Sequence, residues 1–181
     1  TANDNVAVGH YALSATTTGT DNVGVGASAL TNNTTASYNT AVGNRALLVN
    51  TAELNTAVGS LSMFSNTTGT ENTAIGQASL YTNSTGNYNT AVGRYALRLN
   101  TTGTYNSALG WGALHSNTTA DNNTAIGNLT LYNNSTGGSN TAMGYKAGNS
   151  NTTGGANTWI GYDAGEENTT GGSNTAVGHS A

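Results

Sequence analysis

The stretch Asn55-Thr-Ala-Val-Gly59 carries the pattern that decides the fold, because near copies of it run through the whole chain. Two of these copies are Asn72-Thr-Ala-Ile-Gly76 and Asn89-Thr-Ala-Val-Gly93. The closing glycine recurs at steps of 17 residues, apart from one step of 16, at Gly9, Gly26, Gly43, Gly59, Gly76, Gly93, Gly110, Gly127, Gly144, Gly161 and Gly178. A fixed period of this length predicts an array of stacked units. It argues against an enzyme, since a catalytic site needs unlike residues brought together once.

Aligned on this glycine, the unit reads Asn-Thr-Ala-Val-Gly-x-x-Ala-Leu-x-x-Asn-Thr-Thr-Gly-x-x, and we number its residues as repeat positions 1 to 17. Position 4 is always apolar, as in Val8, Val25, Val42, Val58, Ile75, Val92, Leu109 and Ile126. Position 9 is also apolar over most of the chain, as in Leu13, Leu30, Leu47, Leu80, Leu97, Leu114 and Leu131, with Met63 in one copy. These two ranks are the predicted core.

The unit is too short for the pair of helices found in helical repeats, which needs roughly 33 residues. Thr-Ala-Val is typical of a short strand, and the segment around Ala-Leu is predicted to form a second one. Asn-Thr-Thr-Gly has the residues of a polar turn. We therefore expect an all-β fold, a parallel β-roll or β-solenoid of about eleven coils. A core of one valine rank and one leucine rank is thin, which favours packing of the rod against further chains.

The array covers residues 1–181 as one domain with no polar cap at either end, which predicts flanking domains or end-to-end stacking. Residues 1–147 are the main subtype, and residues 148–181 are a glycine-rich variant. In the variant, Gly148 and Gly165 occupy the leucine position. Trp159 replaces the small residue of Thr-Ala-Val, and we expect that face to open locally around it.

Composition excludes several classes of function. The chain has no cysteine or proline, a formal net charge of −4, and only four basic residues, Arg45, Arg94, Arg98 and Lys146, so it lacks the basic surface that nucleic-acid binding needs. No apolar run is long enough to insert into a membrane. The histidines are scattered and the acids form no ladder, so we predict no metal, no cofactor and no catalytic residue.

The Asn-Thr-Thr turn also matches the acceptor motif for N-glycosylation, at Asn33, Asn66, Asn83, Asn100, Asn117, Asn134, Asn151 and Asn168. Acceptors that recur once per coil on one corner could carry a regular coat of sugar. The alternative is that asparagine and threonine occur there because they form turns well.

Aromatic residues lie at variable positions between the glycine and the turn, among them Tyr81, Tyr95, Trp111, Tyr132, Tyr145 and Tyr162. Packing of these rings over the edges of adjacent coils is the favoured interpretation. The alternative is an exposed strip that binds a cell-surface glycan or a partner protein.

The motif Asn-Thr-Ala-Val-Gly-x-x-Ala-Leu resembles the head repeats of trimeric autotransporter adhesins. It is also similar to the Asn-Thr-Ala-Val-Gly arrays of phage tail-fibre and bacterial surface proteins. The resemblance covers the whole chain. It implies a left-handed parallel β-roll, a homotrimer of three chains around one axis, and a role in surface binding. The adhesin unit is shorter, so the Asn-Thr-Thr-Gly turn here corresponds to an inserted corner.

We therefore expect a non-catalytic structural or adhesive segment of an extracellular fibre, such as an adhesin head or a tail-fibre shaft, on a cell surface or virion. Its expected partners are its own copies and a cell-surface glycan or host receptor. One alternative is a subunit of a polymerising, glycosylated extracellular filament. An ice-binding solenoid is the weaker alternative, suggested by the strand threonines Thr40, Thr56, Thr73, Thr90, Thr124 and Thr141 but disfavoured because each strand supplies only one threonine.

Overall fold

The computed structural model describes residues 1–181 and contains eleven strands of three residues each. These are β1 (Val6–Val8), β2 (Val23–Val25), β3 (Thr40–Val42), β4 (Thr56–Val58), β5 (Thr73–Ile75), β6 (Thr90–Val92), β7 (Ser107–Leu109), β8 (Thr124–Ile126), β9 (Thr141–Met143), β10 (Thr158–Ile160) and β11 (Thr175–Val177). Each strand pairs in parallel with the next, and equivalent repeat positions lie side by side. The protein is thus an all-β parallel β-solenoid with about ten turns of 17 residues. No helix that could cross a membrane is present.

Each coil contains one strand, so the prediction of a second strand around Ala-Leu was wrong. Positions 7 and 9 have left-handed backbone conformations, with φ of 55° at Arg45 and 49° at Leu47. A strand needs φ near −120°, so this segment turns instead of extending. It still joins the coils, because the N–H of Leu47 donates to the carbonyl oxygen of Ser62 in the next coil at 3.0 Å.

The core lies between the alanines at position 3 and the leucines at position 9. Ala57 and Ala74 are completely buried, as are Leu30, Leu47, Leu80, Leu97, Leu114 and Leu131, while Leu13 is 8% exposed.

The valine rank at position 4 is not in the core, contrary to the sequence prediction. Of the residues assigned to it, Val8, Val42, Ile75 and Leu109 are exposed, and Val25, Val58, Val92 and Ile126 are half-buried. Neighbouring side chains of a strand point to opposite faces. Because the narrow interior takes the alanine methyl, both larger neighbours, at positions 2 and 4, must point outward.

The repeated glycine at position 5 is required by two separate constraints. Its φ lies between 129° and 138° in every coil, a conformation that other residues rarely adopt. A Cβ added at Gly59 would also lie 2.6 Å from the carbonyl oxygen of Gly76 in the next coil. The period seen in the sequence therefore marks a place where the backbones of successive coils lie too close together for a side chain.

Two columns of buried asparagines, at positions 1 and 12, hold the turn corner from inside. The Nδ2 of Asn83 donates to the Oδ1 of Asn66 in the preceding coil at 2.8 Å and to the carbonyl oxygen of Gly86 at 2.9 Å. The Nδ2 of Asn72, at position 1 of the same coil, donates to that carbonyl at 2.8 Å. The buried amides are thus paired with one another along the rod, as burial of polar groups requires.

The 16-residue step comes from the loss of one residue in the turn after Asn50. The Nδ2 of Asn50 bonds to the carbonyl oxygen of Ala52, two residues on, where other coils use the residue three positions on. The backbone amides of Thr34 and Thr35 donate no hydrogen bond to the following coil. The Oδ1 of Asn33 is buried without a partner. The shortened turn therefore leaves one corner of the rod less tightly joined.

Trp159 points into the core and does not open the face, which corrects the expectation from the sequence. Its side chain is 1% exposed. Side-chain atoms added at Gly148 and Gly165 would overlap its ring. The two glycines in the leucine position thus make room for the indole, and all three residues fill one stretch of core.

Candidate binding surfaces

The outer side of the sheet is an uncharged surface formed by positions 2 and 4 of the eleven strands, which we call the strand face. Position 2 is threonine, serine or valine, and position 4 is valine, isoleucine, leucine or methionine. None of these side chains is buried, and Ile75 and Leu109 are 41% and 49% exposed. Ten strand spacings of about 4.8 Å give this face a length of about 48 Å. It is therefore long and regular, with methyl groups repeated at every coil.

The six aromatic residues singled out from the sequence divide into two separate groups. Coils 4 to 8, which begin at Asn55 and end before Asn140, carry the aromatic cluster, consisting of Phe64, Tyr81, Tyr95, Trp111, His115 and Tyr132. Coils 9 to 11 carry a tyrosine column, consisting of Tyr145, Tyr162 and His179. In both groups, rings from successive coils stack on one another. The rings thus contact one another between coils, while Trp111, Tyr145 and Tyr162 remain 40%, 39% and 48% exposed.

The stacking distances in the aromatic cluster are short. Phe64 and Tyr81 have ring centroids 5.2 Å apart, and His115 and Tyr132 have centroids 4.6 Å apart. Tyr95 meets His115 edge-on at 6.4 Å. The cluster is thus a nearly continuous set of contacts across five coils.

Two arginines belong to the aromatic cluster, and sequence reasoning did not single them out as site residues. The guanidinium of Arg98 lies 5.6 Å from the ring centroid of Tyr81 and 5.4 Å from that of Tyr95. Arg94 lies 4.5 Å over Tyr95 and donates to its hydroxyl oxygen at 2.8 Å. Burial, and secondarily the positive charge of Arg98, lowers the pKa of His115. The cluster therefore combines aromatic rings with positive charge.

The tyrosine column has the opposite electrostatic surroundings. Lys146 pairs with Glu166, with Nζ and Oε1 3.1 Å apart, and this carboxylate raises the pKa of the lysine. Asp163 and Glu167 lie on the same coil as Glu166. The column is thus bordered mainly by acids.

A third group of rings lies at position 17, on the turn corner. Tyr88 and Tyr105 stack in parallel with their centroids 4.9 Å apart. Glu71, one coil earlier, raises the pKa of Tyr88 by its charge and by accepting a hydrogen bond.

The asparagines of the Asn-Thr-Thr turns cannot carry glycans in this fold, which corrects the glycosylation prediction. Asn33, Asn66, Asn83, Asn100, Asn117, Asn134 and Asn151 are completely buried, and Asn168 is half-buried. In every one of them, Nδ2, the atom that would bear the sugar, donates a hydrogen bond inside the corner, as in Asn66 and Asn168. A regular sugar coat on these turns is therefore incompatible with the solenoid.

No group of three His, Asp or Glu side chains is placed to hold a metal ion. One cavity of about 310 Å³ is present, over the last coils, and it is lined by Asp163, Gly165, Glu166, Glu167, Asn168, Ser180 and Ala181.

In comparisons with known proteins, no family model matches the chain, no curated protein matches its sequence, and no solved structure matches its fold.

Proposed function

We propose that this chain is a non-catalytic, structural and adhesive segment of an extracellular fibre, in which three copies pack around one axis through their strand faces. The proposal includes the left-handed winding and the trimer that the resemblance to adhesin heads and tail fibres implies. It places the fibre on a cell surface or virion, with a glycan or a host receptor as its target.

The observation that carries the proposal is the exposed strand face. Three residues of about 3.3 Å each give it a width of about 10 Å, so its area is on the order of 500 Å². Position 4 forms an apolar rank along this face, and exposed apolar patches of a few hundred Å² commonly mark interaction sites. Exposed valine and isoleucine methyls in a continuous rank, such as Val42 and Ile75, gain free energy when another chain covers them.

A second copy of the chain suits this face better than an unrelated partner. The face repeats a threonine, serine or valine at position 2 and an apolar residue at position 4 of every strand, and it carries no charge that would select a particular orientation. Another copy has the same spacing, so each contact made by one coil can be repeated by all the others. The variable positions 6, 7 and 10 lie outside the strands, in the segment after the glycine, and in this proposal they carry the adhesive contacts.

Sedimentation equilibrium of the purified chain tests this proposal. We expect a trimer for the wild type and a monomer for V58K/V92K, because a lysine on the strand face would be desolvated at the contact. The matched control is T68K/T102K, which places the same charges on the exposed turn corner and should remain trimeric. Circular dichroism verifies that both variants are folded. A monomeric wild type overturns the proposal, and species that lengthen with concentration favour an end-to-end filament.

Binding to ice is the second candidate, because threonine and apolar side chains point outward together on one regular face. The side chains of Thr56 and Val58 both project from this surface, and a threonine paired with an apolar residue in this way occurs in eight of the eleven strands. A monomer that shows thermal hysteresis, and loses it in V58K/V92K, would support this function over assembly.

A further inference from the structure

Positive charge and aromatic rings meet on one side of the rod, away from the acids. Five of the eight acids, Asp4, Asp21, Glu53, Glu71 and Asp121, lie at positions 16 and 17, and the other three, Asp163, Glu166 and Glu167, lie on coil 10. The side formed by positions 6 to 11 in coils 1 to 8 therefore has no carboxylate, while it carries Arg45, Arg94 and Arg98.

Arg98 is the centre of this arrangement. Its guanidinium lies between the rings of Tyr81 and Tyr95, at 5.6 and 5.4 Å from their centroids. Its Nε is buried and has no hydrogen-bond partner. A buried donor without a partner costs roughly 1–3 kcal/mol, and the two rings provide only a weak cation–π attraction. A guanidinium in these surroundings gains more from an anionic ligand than a fully hydrated one does.

The neighbouring groups define the kind of anion. Arg94 is exposed and held over the ring of Tyr95, which Arg98 also contacts, so it offers a second guanidinium beside that of Arg98. Trp111 is 40% exposed and stacks against Tyr132 within the same cluster. Exposed indole and phenol groups offer apolar area together with a polar atom, while arginine binds carboxylates in a planar, two-point geometry.

We infer that the aromatic cluster of coils 4 to 8 is a binding site for an acidic glycan, with the carboxylate of a sugar acid at Arg94 and Arg98 and the sugar ring against Trp111. The inference rests on the proposed adhesive function and names the ligand class for it. It does not depend on the trimer, because the cluster lies on coils of one chain.

Isothermal titration calorimetry with an oligomer of galacturonic acid tests the site, with neutral dextran as the uncharged ligand. We expect binding of the oligogalacturonate and none of dextran. R94Q and R98Q should each weaken binding at least tenfold. Because the Arg94 side chain is exposed, R94Q should leave the fold intact, so its loss of binding is not a loss of folding. W111A, which keeps all the charges, should weaken binding at least fivefold.

The matched control is R45Q, which removes an equal charge on the same side of the rod from an arginine that lies over no aromatic ring. Its affinity should stay within twofold of the wild type. Equal losses in R45Q and R94Q would show attraction by net charge alone and would overturn the site. Equal binding of dextran would overturn the acidic ligand. Absence of binding by a confirmed trimer would overturn this inference and leave the fibre assembly standing.

Discussion

Coils 4 to 8 and coils 9 and 10 have the same backbone but fill their cores differently. In the first region, a small residue at position 3 faces leucine or methionine at position 9, as with Ala91 and Leu97. In the second, Trp159 takes position 3 and glycines take position 9. The strands nevertheless pair in the same register, Thr158 with Thr141 as Thr73 with Thr56.

The comparison shows that one set of residues defines the path of the backbone and another set fills the core. Both regions keep the glycine at position 5, the asparagines at positions 1 and 12 and the left-handed turns, and these fix the path of the chain. The apolar side chains then occupy the remaining space, and an indole can replace leucines when neighbours become small. Packing of this kind depends on total volume more than on the identity of each residue.

The first prediction concerns the glycine at position 5, which both regions share, and its expected effect is the largest. G76A should destabilise the fold by about 5 kcal/mol or more, because alanine is strained at the φ of 133° and its Cβ would lie 2.6 Å from the carbonyl oxygen of Gly93. Urea unfolding measures the loss. G138A is the control, since its Cβ would be 3.2 Å from the nearest atom, and it should change stability by less than about 1 kcal/mol. Similar values for the two variants would refute the role of position 5.

The second prediction converts one region into the other. W159A should cost about 3–5 kcal/mol, because Gly148 and Gly165 have no side chains to fill the cavity. The triple variant W159A/G148L/G165L should recover most of that loss in urea unfolding. Leucine fits there, since the φ of these glycines, 62° and 64°, is close to that of the leucines at position 9 elsewhere.

G148L alone provides the other half of this test. With Trp159 in place, the added side chain has no space, so this variant should be less stable than the wild type. The energies of the three changes should therefore be strongly non-additive. Additive values would mean that the tryptophan and the glycines do not share one space.

The sequence was sufficient to predict the solenoid, because the 17-residue period and the repeated glycines follow from local backbone geometry. It did not reveal which side of the strand is buried, since Thr-Ala-Val alternates equally well with either face inward. It also gave no sign of the left-handed turn at Leu47, because leucine rarely adopts positive φ without contacts from neighbouring coils.

The asparagines at position 1 carry a signal of their burial in the sequence itself. Position 1 is asparagine in all eleven copies, whereas threonine, serine and alanine exchange at other turn positions. Turn propensity alone would tolerate such exchange. A buried amide column does not tolerate it. The Nδ2 of Asn72 donates to the Oδ1 of Asn55, and the Oδ1 of Asn72 accepts from the Nδ2 of Asn89. For the candidate site, Arg98 could not be placed between two rings without knowing which positions stack.

The third prediction concerns the asparagine column that both regions use. N83A should cost about 1–3 kcal/mol in urea unfolding, because it removes two donated hydrogen bonds and the acceptor of Asn100. N33A should cost about 1 kcal/mol less, since the Oδ1 of Asn33 has no partner beside the shortened turn. Equal losses at the two sites would show that the column adds nothing beyond each turn's own hydrogen bond.

The fourth prediction has the smallest effect and separates the outer surfaces of the two regions. The folded-state pKa of His115 is lowered by burial and then by Arg98, so below about pH 6.5 the unfolded chain binds more protons at this residue than the folded chain does. Its contribution therefore costs no stability above that pH and destabilises the fold progressively as the pH falls below it.

The measurement is the urea midpoint between pH 7 and pH 5. H115Q should remove part of the acid-induced decrease, because glutamine takes up no proton in the folded or the unfolded state. H179Q, at the tyrosine column, is the matched control. It should retain the part of the acid-induced decrease that comes from His115, since it leaves His115 and Arg98 in place. If H115Q and H179Q reduce the decrease equally, histidine content explains the effect and the aromatic cluster of the middle coils does not.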